Sequence, residues 1–273
     1  MSKPTQNWIH TAPSLRYFER IEAFFSSYEY APHRHDTYAI GTTLSGVQSF
    51  NYRGTAEHST RGQVIVLHPD EKHDGRAGTE HGYHYHMLYI QPALFQDILQ
   101  GQPLPFIEHG LSRDAHLHRI LQRFFQQQTA AINTLTEEDT LFDLVTTLQQ
   151  LATSQTSRNK LADGIAAARA REYLDAHWQN DISLADLEAC SGRDRWRLSR
   201  DFRLLYGTSP HRYQIMRRLD HVKASLLAGA TPVDAAYAAG FFDQSHMHRH
   251  FVASIGMPPA RWQKLLLPSH TAS

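Results

Sequence analysis

The chain has 273 residues, with 27 Lys+Arg balanced by 27 Asp+Glu, and it carries 19 His. That length supports two domains, each burying its own core, and the lack of an 18-residue apolar run or an apolar signal core near the start predicts a soluble, cytoplasmic chain with no membrane contact. Cys190 is the only cysteine, which excludes an internal disulfide and a multi-cysteine zinc site; its place on an apolar helix face reads as packing.

Neutrality conceals an asymmetry: residues 160–273 hold 15 Lys+Arg against 11 Asp+Glu, and residues 1–159 hold 12 against 16. The second half is the basic one. From Glu22 to about Gln91, the runs Ala23–Tyr28, Tyr38–Leu44, Val47–Tyr52, Val64–Leu67 and Tyr83–Gln91 are rich in β-branched and aromatic residues. Ser45-Gly46, Arg53-Gly54 and Arg61-Gly62 supply turns, so the segment reads as a β-sandwich or barrel. Within Tyr83–Gln91 neither alternating face is polar, which predicts a strand covered on both sides. After Pro92 the period becomes helical, with Leu117, Ile120, Leu121, Phe124 and Phe125 on one stripe and Leu141, Leu144, Val145, Leu148 and Leu151 on another. Thr136 is the expected N-cap of the second stripe. These two helices either pack on the β domain or supply a dimer interface. Residues 151–160, polar and aperiodic, read as a linker between a domain at 1–150 and one at 161–267.

Beyond Lys160 the chain reads helical throughout. A lead helix spans Ile165–Trp178, Ser183 caps a short helix through Ala189, Ser191-Gly192 turn the chain, and Asp194 caps a helix to Tyr206 that Gly207 ends. Ser209-Pro210 opens a long helix to about Leu227. The plan then repeats: Thr231-Pro232 start a helix through Ala238, Gly240 turns, Asp243 caps a helix to Ser254, and Pro258-Pro259 start the last helix. Asp194, Leu198, Arg200, Phe202, Gly207, Pro210 and Tyr213 answer Asp243, Met247, Arg249, Phe251, Gly256, Pro259 and Trp262 at a constant offset of 49 residues. One supersecondary unit is used twice.

A short helix, a glycine turn and a second capped helix make a helix-turn-helix, whose second helix fits the major groove of DNA. In the first unit Arg195, Trp196, Ser199 and Arg200 occupy its early outer face while Leu198 and Phe202 turn inward. In the second, Gln244, Ser245, His248 and Arg249 are outside while Met247 and Phe251 anchor. Arg grips guanine bidentately and Gln suits adenine, so these eight residues are the candidate DNA contacts. The competing reading, a bundle whose charges only solvate a face, does not account for arginines at matched positions.

The second unit, Gly240-Phe241-Phe242-Asp243-Gln244-Ser245-His246-Met247-His248-Arg249-His250-Phe251 followed by Gly256-x2-Pro259-x2-Trp262, resembles AraC/XylS-type transcriptional regulators, and the likeness spans residues 165–265. It implies a bacterial, cytoplasmic regulator that binds promoter DNA as a homodimer, with RNA polymerase a further partner. Three positions depart from the usual pattern: Glu188 stands for a small Ala, Asp194 for a capping Ser, and Val252 for a Lys. Asp caps as well as Ser, whereas Glu188 requires a partner or solvent, and Val252 removes one phosphate contact.

Pro32-His33-Arg34-His35-Asp36-x-Tyr38, Leu44-Ser45-Gly46, Gly62 and His68-Pro69-Asp70-Glu71-Lys72-His73 resemble the cupin-type sensor domain of such regulators. The resemblance implies an α+β chain of two domains: an N-terminal β jelly-roll with following helices, then an all-α tandem helix-turn-helix. A small-molecule effector would bind inside the jelly-roll, with His33, His35, Thr43, Ser45, His73, Tyr85 and Met87 as lining candidates; each reads equally well as core. The alternative is a metal-dependent cupin enzyme with a helical appendage, because His33-x-His35 and His73 are ligand types for iron, nickel or zinc. No carboxylate follows His35 at the usual short distance, where Tyr38, Ala39 and Ile40 stand. The expectation is therefore a non-enzyme with no metal or cofactor. A regulator answering only to protein partners is the third reading.

Overall fold

The computed structural model describes residues 7–12, 18–125, 134–152 and 162–266. Its N-terminal part is two antiparallel sheets face to face. One has the order β1 (Trp8–Thr11), β2 (Phe18–Phe25), β9 (Tyr83–Ile90), β4 (Tyr38–Gly46), β7 (Val64–Leu67) and β10 (Leu111–Ser112). The other has the order β3 (Tyr28–His33), β8 (His73–Ala77), β5 (Gln48–Tyr52) and β6 (Thr55–Ser59). Alternation in β9 sends Tyr83, Tyr85 and Met87 into the core between the sheets, with Phe25, Phe50 and Ile65. Leu88 and Ile90 point outward into a second core under α1 (Pro92–Leu99), α2 (Ala115–Phe125) and α3 (Thr134–Leu151). No residue of β9 is exposed, as its two apolar faces require.

The helical part runs α4 (Gly164–Ala176), α5 (Leu184–Ser191), α6 (Arg195–Tyr206), α7 (Pro210–Leu227), α8 (Pro232–Ala238), α9 (Gln244–Ile255) and α10 (Pro259–Leu266). Local chemistry sets these boundaries. Ser183 and Asp186 form a reciprocal capping box at α5. The Asp194 carboxylate accepts from the Trp196 and Arg197 amides, and Asp243 accepts from that of His246. Leu198 and Phe202, like Met247 and Phe251, are fully buried, so the two units bury matching anchors in two separate cores. No helix among the described residues is long and apolar enough to cross a membrane.

Some expectations need correction. The Ala23–Tyr28 run is two strands broken at Ser26-Ser27, and β1, β6 and β8 carry no strong strand signal. Thr136 does not cap α3 but lies inside it, where its carbonyl accepts from the Thr140 hydroxyl at 2.6 Å. Most of the expected linker lies outside the described residues.

The halves are in contact. Gly207 and Gly256, equivalent in the repeat, close α6 and α9 with φ of +71° and +80°, and each is pressed against the β half. A Cβ on Gly207 would stand 2.6 Å from Pro69 Cβ, and one on Gly256 would stand 2.7 Å from His33 Nδ1. Around them Ala31 N–H donates to Gly256 O, Arg34 N–H donates to Ala253 O, Arg212 pairs with Asp70 at 2.7 Å, and Arg217 pairs with the buried Asp36 at 2.6 Å.

His68 ties a loop into this body. The Ile107 amide donates to its Nε2, so the ring proton sits on Nδ1 and is shared with the Tyr52 hydroxyl. Burial, followed by the nearby Arg53 charge, lowers the ring pKa from 6.5 to about 3. The unfolded chain therefore binds one more proton here between those values, and stability is lost as pH falls below about 6.5. Urea unfolding between pH 7 and 5 is expected to show a slope that His68→Gln reduces by about 1 kcal/mol per pH unit averaged over that range.

Candidate DNA-reading helices and effector cavity

The second helices of the two units, α6 and α9, present the residues singled out by the repeat. Arg195, Trp196, Arg200, Gln244, Ser245, His248 and Arg249 are exposed, and Ser199 is half-buried. Trp196 is 72% exposed at the start of α6, and Phe242, 84% exposed, immediately precedes the cap of α9. Phe242 and the exposed Tyr237 were not among the sequence candidates, although two aromatic side chains left in solvent beside a capped helix are a legible signal of a binding face.

Carboxylates hold Arg193, just before α6, and Arg195 and Arg200 within it in place. Asp201 is fully buried and accepts from Arg193 Nη2 at 2.8 Å and from Arg200 Nη2 at 2.9 Å. Burial works to raise its pKa, but hydrogen bonds from Arg200, the Asp163 amide and Arg193 outweigh that and keep the carboxyl below its ordinary value. Arg200 remains 57% exposed beyond this anchor. Glu188 finds the partner it needs in Arg195, whose Nε lies 3.2 Å away. The side chain that departs from the usual small residue thus orients one of the candidate contacts.

The effector candidates separate. His33, His35 and His73 come together, with ring centroids 4.3 to 6.0 Å apart and one ring nitrogen of each within 4.8 Å of the others. Tyr85 is buried nearby, its hydroxyl 3.2 Å from that of Tyr30, and Met87 is part of the core between the sheets. Thr43 and Ser45 lie elsewhere. Thr43 bonds the Ser59 hydroxyl and lines a different depression of about 410 Å³ with Arg61 and His118, while Ser45 is exposed beyond an irregularity that breaks the strand's alternation.

A cavity of about 220 Å³ lies between the halves of the molecule. Phe18, Glu19, Tyr30, His33, His35 and Tyr89 come from the β half, and Met216, Asp220, Lys223, Ile255 and Trp262 come from the helical half. Lys223 pairs with Asp220 at 2.8 Å. Although burial opposes its charge, Asp220 and Glu19 more than offset that and raise its pKa above the ordinary lysine value. Sequence reading found only His33 and His35 of this wall, because Lys223 and Asp220 sit on a helix whose periodicity says nothing about which distant surface covers it.

Taken together, a ligand-sized cavity walled by a β-sandwich and a doubled helix-turn-helix defines a regulator whose sensing and reading parts share one interior. Residues 16–145 match the family described as AraC-like ligand binding domain, and residues 187–265 match a helix-turn-helix domain family. The chain belongs to the AraC family of transcriptional regulators and is an effector-controlled DNA-binding protein. It is 25% identical over 221 residues to the HTH-type transcriptional regulator YbfI of Bacillus subtilis, covering 79% of this chain and 80% of that one. It is 30% identical over 92 residues to the probable transcriptional regulator LumQ of Photobacterium leiognathi, covering 33% and 37%. Its fold is similar to that of ToxT from Vibrio cholerae, with a TM-score of 0.69 at 11% identity over 92% of this chain and 99% of that one. ToxT with a bound unsaturated fatty acid matches at a TM-score of 0.64 and 12% identity over 96% and 99%.

Asp201→Asn removes the charge that anchors two arginines, one of them largely in solvent. It is expected to cost about 2 kcal/mol in urea unfolding and to weaken binding to a DNA fragment.

Proposed function

We propose that residues 161–267 read duplex DNA through α6 and α9, that residues 1–150 sense the effector and dimerise, and that residues 151–160 join them. Arg195, Trp196, Ser199 and Arg200 would contact one stretch of major groove, and Gln244, Ser245, His248 and Arg249 the next. The 18-residue α7 that separates the units is about 27 Å long, compatible with the roughly 34 Å spacing of successive major grooves on one face. The matched exposed set on two helices with matched anchors is the observation that carries this reading.

The effector is placed in the cavity between the halves rather than inside the sandwich alone. Its wall suits a small molecule with an apolar body, lying against Phe18, Met216 and Trp262, and one polar group at the Lys223–Asp220 pair. ToxT carries an unsaturated fatty acid in one of its structures. Here Asp220 and Glu19 offset the lysine charge, so a head group that both donates and accepts suits the site better than a bare carboxylate. A regulatory role also favours a non-enzyme acting in the cytoplasm at promoters alongside RNA polymerase. Phe142, 54% exposed on α3 one heptad after the exposed Leu135, supports a homodimer through that helix.

Selection from a random duplex pool would yield the operator. On that operator Arg200→Ala and Arg249→Ala are each expected to cost about 1–3 kcal/mol and to relax base preference at distinct positions. Parental affinity and preference in both variants would overturn the assignment of α6 and α9. A ligand present at 100 times its dissociation constant should add about 2.7 kcal/mol of stability, and Lys223→Ala should abolish that gain. In sedimentation Phe142→Asp is expected to yield monomers.

A further inference from the structure

His33 and His73 are register partners across the β3–β8 pair, and His35 follows two residues beyond His33. Each ring makes the same kind of backbone contact. His33 Nδ1 lies 2.8 Å from Ala31 O, His35 Nδ1 lies 2.9 Å from Thr37 O, and His73 Nδ1 lies 2.9 Å from Glu71 O. A carbonyl oxygen only accepts, so each proton resides on Nδ1 and each Nε2 carries a bare lone pair. All three rings are buried, and burial first, then in each case a neighbouring histidine of the cluster, lowers each pKa to about 3.

Three neutral imidazoles with their lone pairs gathered cannot hydrogen-bond to one another, because none offers an Nε2 proton. Each lone pair can take a donated proton or a metal ion, and a single ion is the one partner that can take all three at once. Backbone carbonyls on the opposite nitrogens are the outer contacts that orient histidine ligands in metal sites. Three histidines with the fourth position left open form a complete protein ligand set for zinc, so the carboxylate missing after His35 is not required. Nitrogens bound to one tetrahedral ion stand roughly 3.4 Å apart, given metal–nitrogen distances of about 2.0–2.1 Å. From their present limit of 4.8 Å, the ligand nitrogens would close by up to about 1.4 Å. The neighbouring carboxylates are already engaged, Asp36 by Arg217 and Asp74 by Asn51 and Arg76.

We propose that His33, His35 and His73 bind one divalent transition-metal ion of the zinc, cobalt or nickel class, and that its occupancy is transmitted to α9. An all-imidazole set selects these ions over magnesium and calcium, which take oxygen ligands. The route to α9 is short. The His33 ring touches Gly256, and Ala31 and Arg34 on either side of it donate backbone hydrogen bonds to Gly256 and Ala253. The open coordination position adjoins the cavity that His33 and His35 line, so effector and ion would meet there. The transmission rests on the proposed role of α9 in reading DNA; the metal site does not.

The test uses the full chain, stripped with a chelator and titrated with Co²⁺ for its visible absorption, and with Zn²⁺ followed by gel filtration and elemental analysis. One ion per chain is expected. His73→Gln and His35→Gln should each weaken affinity at least tenfold, while His118→Gln, outside the cluster, should leave it unchanged. Zinc-edge X-ray absorption of the parent chain, which needs no variant to fold, should show three imidazole nitrogens. Failure of the parent to retain an ion, retention by folded His73→Gln equal to the parent, or a shell dominated by oxygen would overturn the site. Loading should change the dissociation constant for the selected operator at least threefold. A loaded site with unchanged DNA affinity would overturn the transmission alone, whereas failure of both apo and loaded protein to prefer any duplex would instead overturn the DNA-reading assignment.

Discussion

Contact between the β half and the ends of α6 and α9 is the constraint on which the remaining features depend. Both helices end in a glycine with positive φ, and both glycines are pressed against the β half, one on Pro69 and the other on His33. A side chain at either position would force the halves apart. The ionic contacts beside them, Arg217 to Asp36 and Arg212 to Asp70, add little net stability, because taking these charges out of water consumes most of what their attraction returns. Their effect lies in position: a buried Asp36 tolerates only the docking that brings Arg217 to it, so the seam selects one relative placement of the halves. Without that placement the cavity loses Met216, Asp220, Lys223 and Trp262 from its wall.

The two units share a backbone plan yet differ chemically. Positions 193 and 201 are Arg and Asp in the first unit, and the corresponding 242 and 250 are Phe and His; in the first helices, whose caps Ser183 and Thr231 stand 48 apart, Glu188 answers Ala236. In the first, carboxylates hold Arg193, Arg195 and Arg200 in a charged lattice at the surface. In the second, Tyr237 and Phe242 stand exposed, and His250 contacts His246 at 3.0 Å in a partly buried pair. Burial, then the neighbouring His246 and His211, lowers the His250 pKa to about 4, so His250 adds no charge near neutrality. On the DNA-reading assignment, α6 contributes the salt-sensitive part of affinity and α9 a part carried by shape and apolar contact.

How much of this was legible in the sequence follows from the range of the interactions involved. The helical half was readable almost residue by residue, because caps such as Ser183, Asp194 and Asp243 and stops such as Gly207 act within one turn, and the repeat doubled the signal. The β half was readable only where strands are apolar. β6 (Thr-Ala-Glu-His-Ser) and β8 (His-Asp-Gly-Arg-Ala) form because their neighbours offer a ladder, a condition set by residues distant in the chain. The candidate site shows the same division. His33, His35 and His73 were legible as a constellation, whereas Thr43 and Ser45 lie away from it, Ser45 beyond an irregularity in β4 that no local pattern announces. Lys223 and Asp220 were invisible, because an interior shared by two halves leaves no periodic trace in either.

On the proposed placement of the effector, that shared interior bears directly on control. A ligand shifts a conformational equilibrium only by the difference in its affinity for the two states. A molecule enclosed within one rigid half would bind equally well whether or not the halves were docked, and it would alter nothing at α6 or α9. With walls drawn from both halves, much of the apolar contact available to a ligand exists only in the docked state, so binding favours docking by whatever those contacts contribute. Linkage then runs both ways: a DNA site that suits the docked spacing of α6 and α9 tightens the ligand, and one that requires another spacing loosens it. On that proposed placement, the sign of regulation would follow the operator's geometry as much as the effector's chemistry.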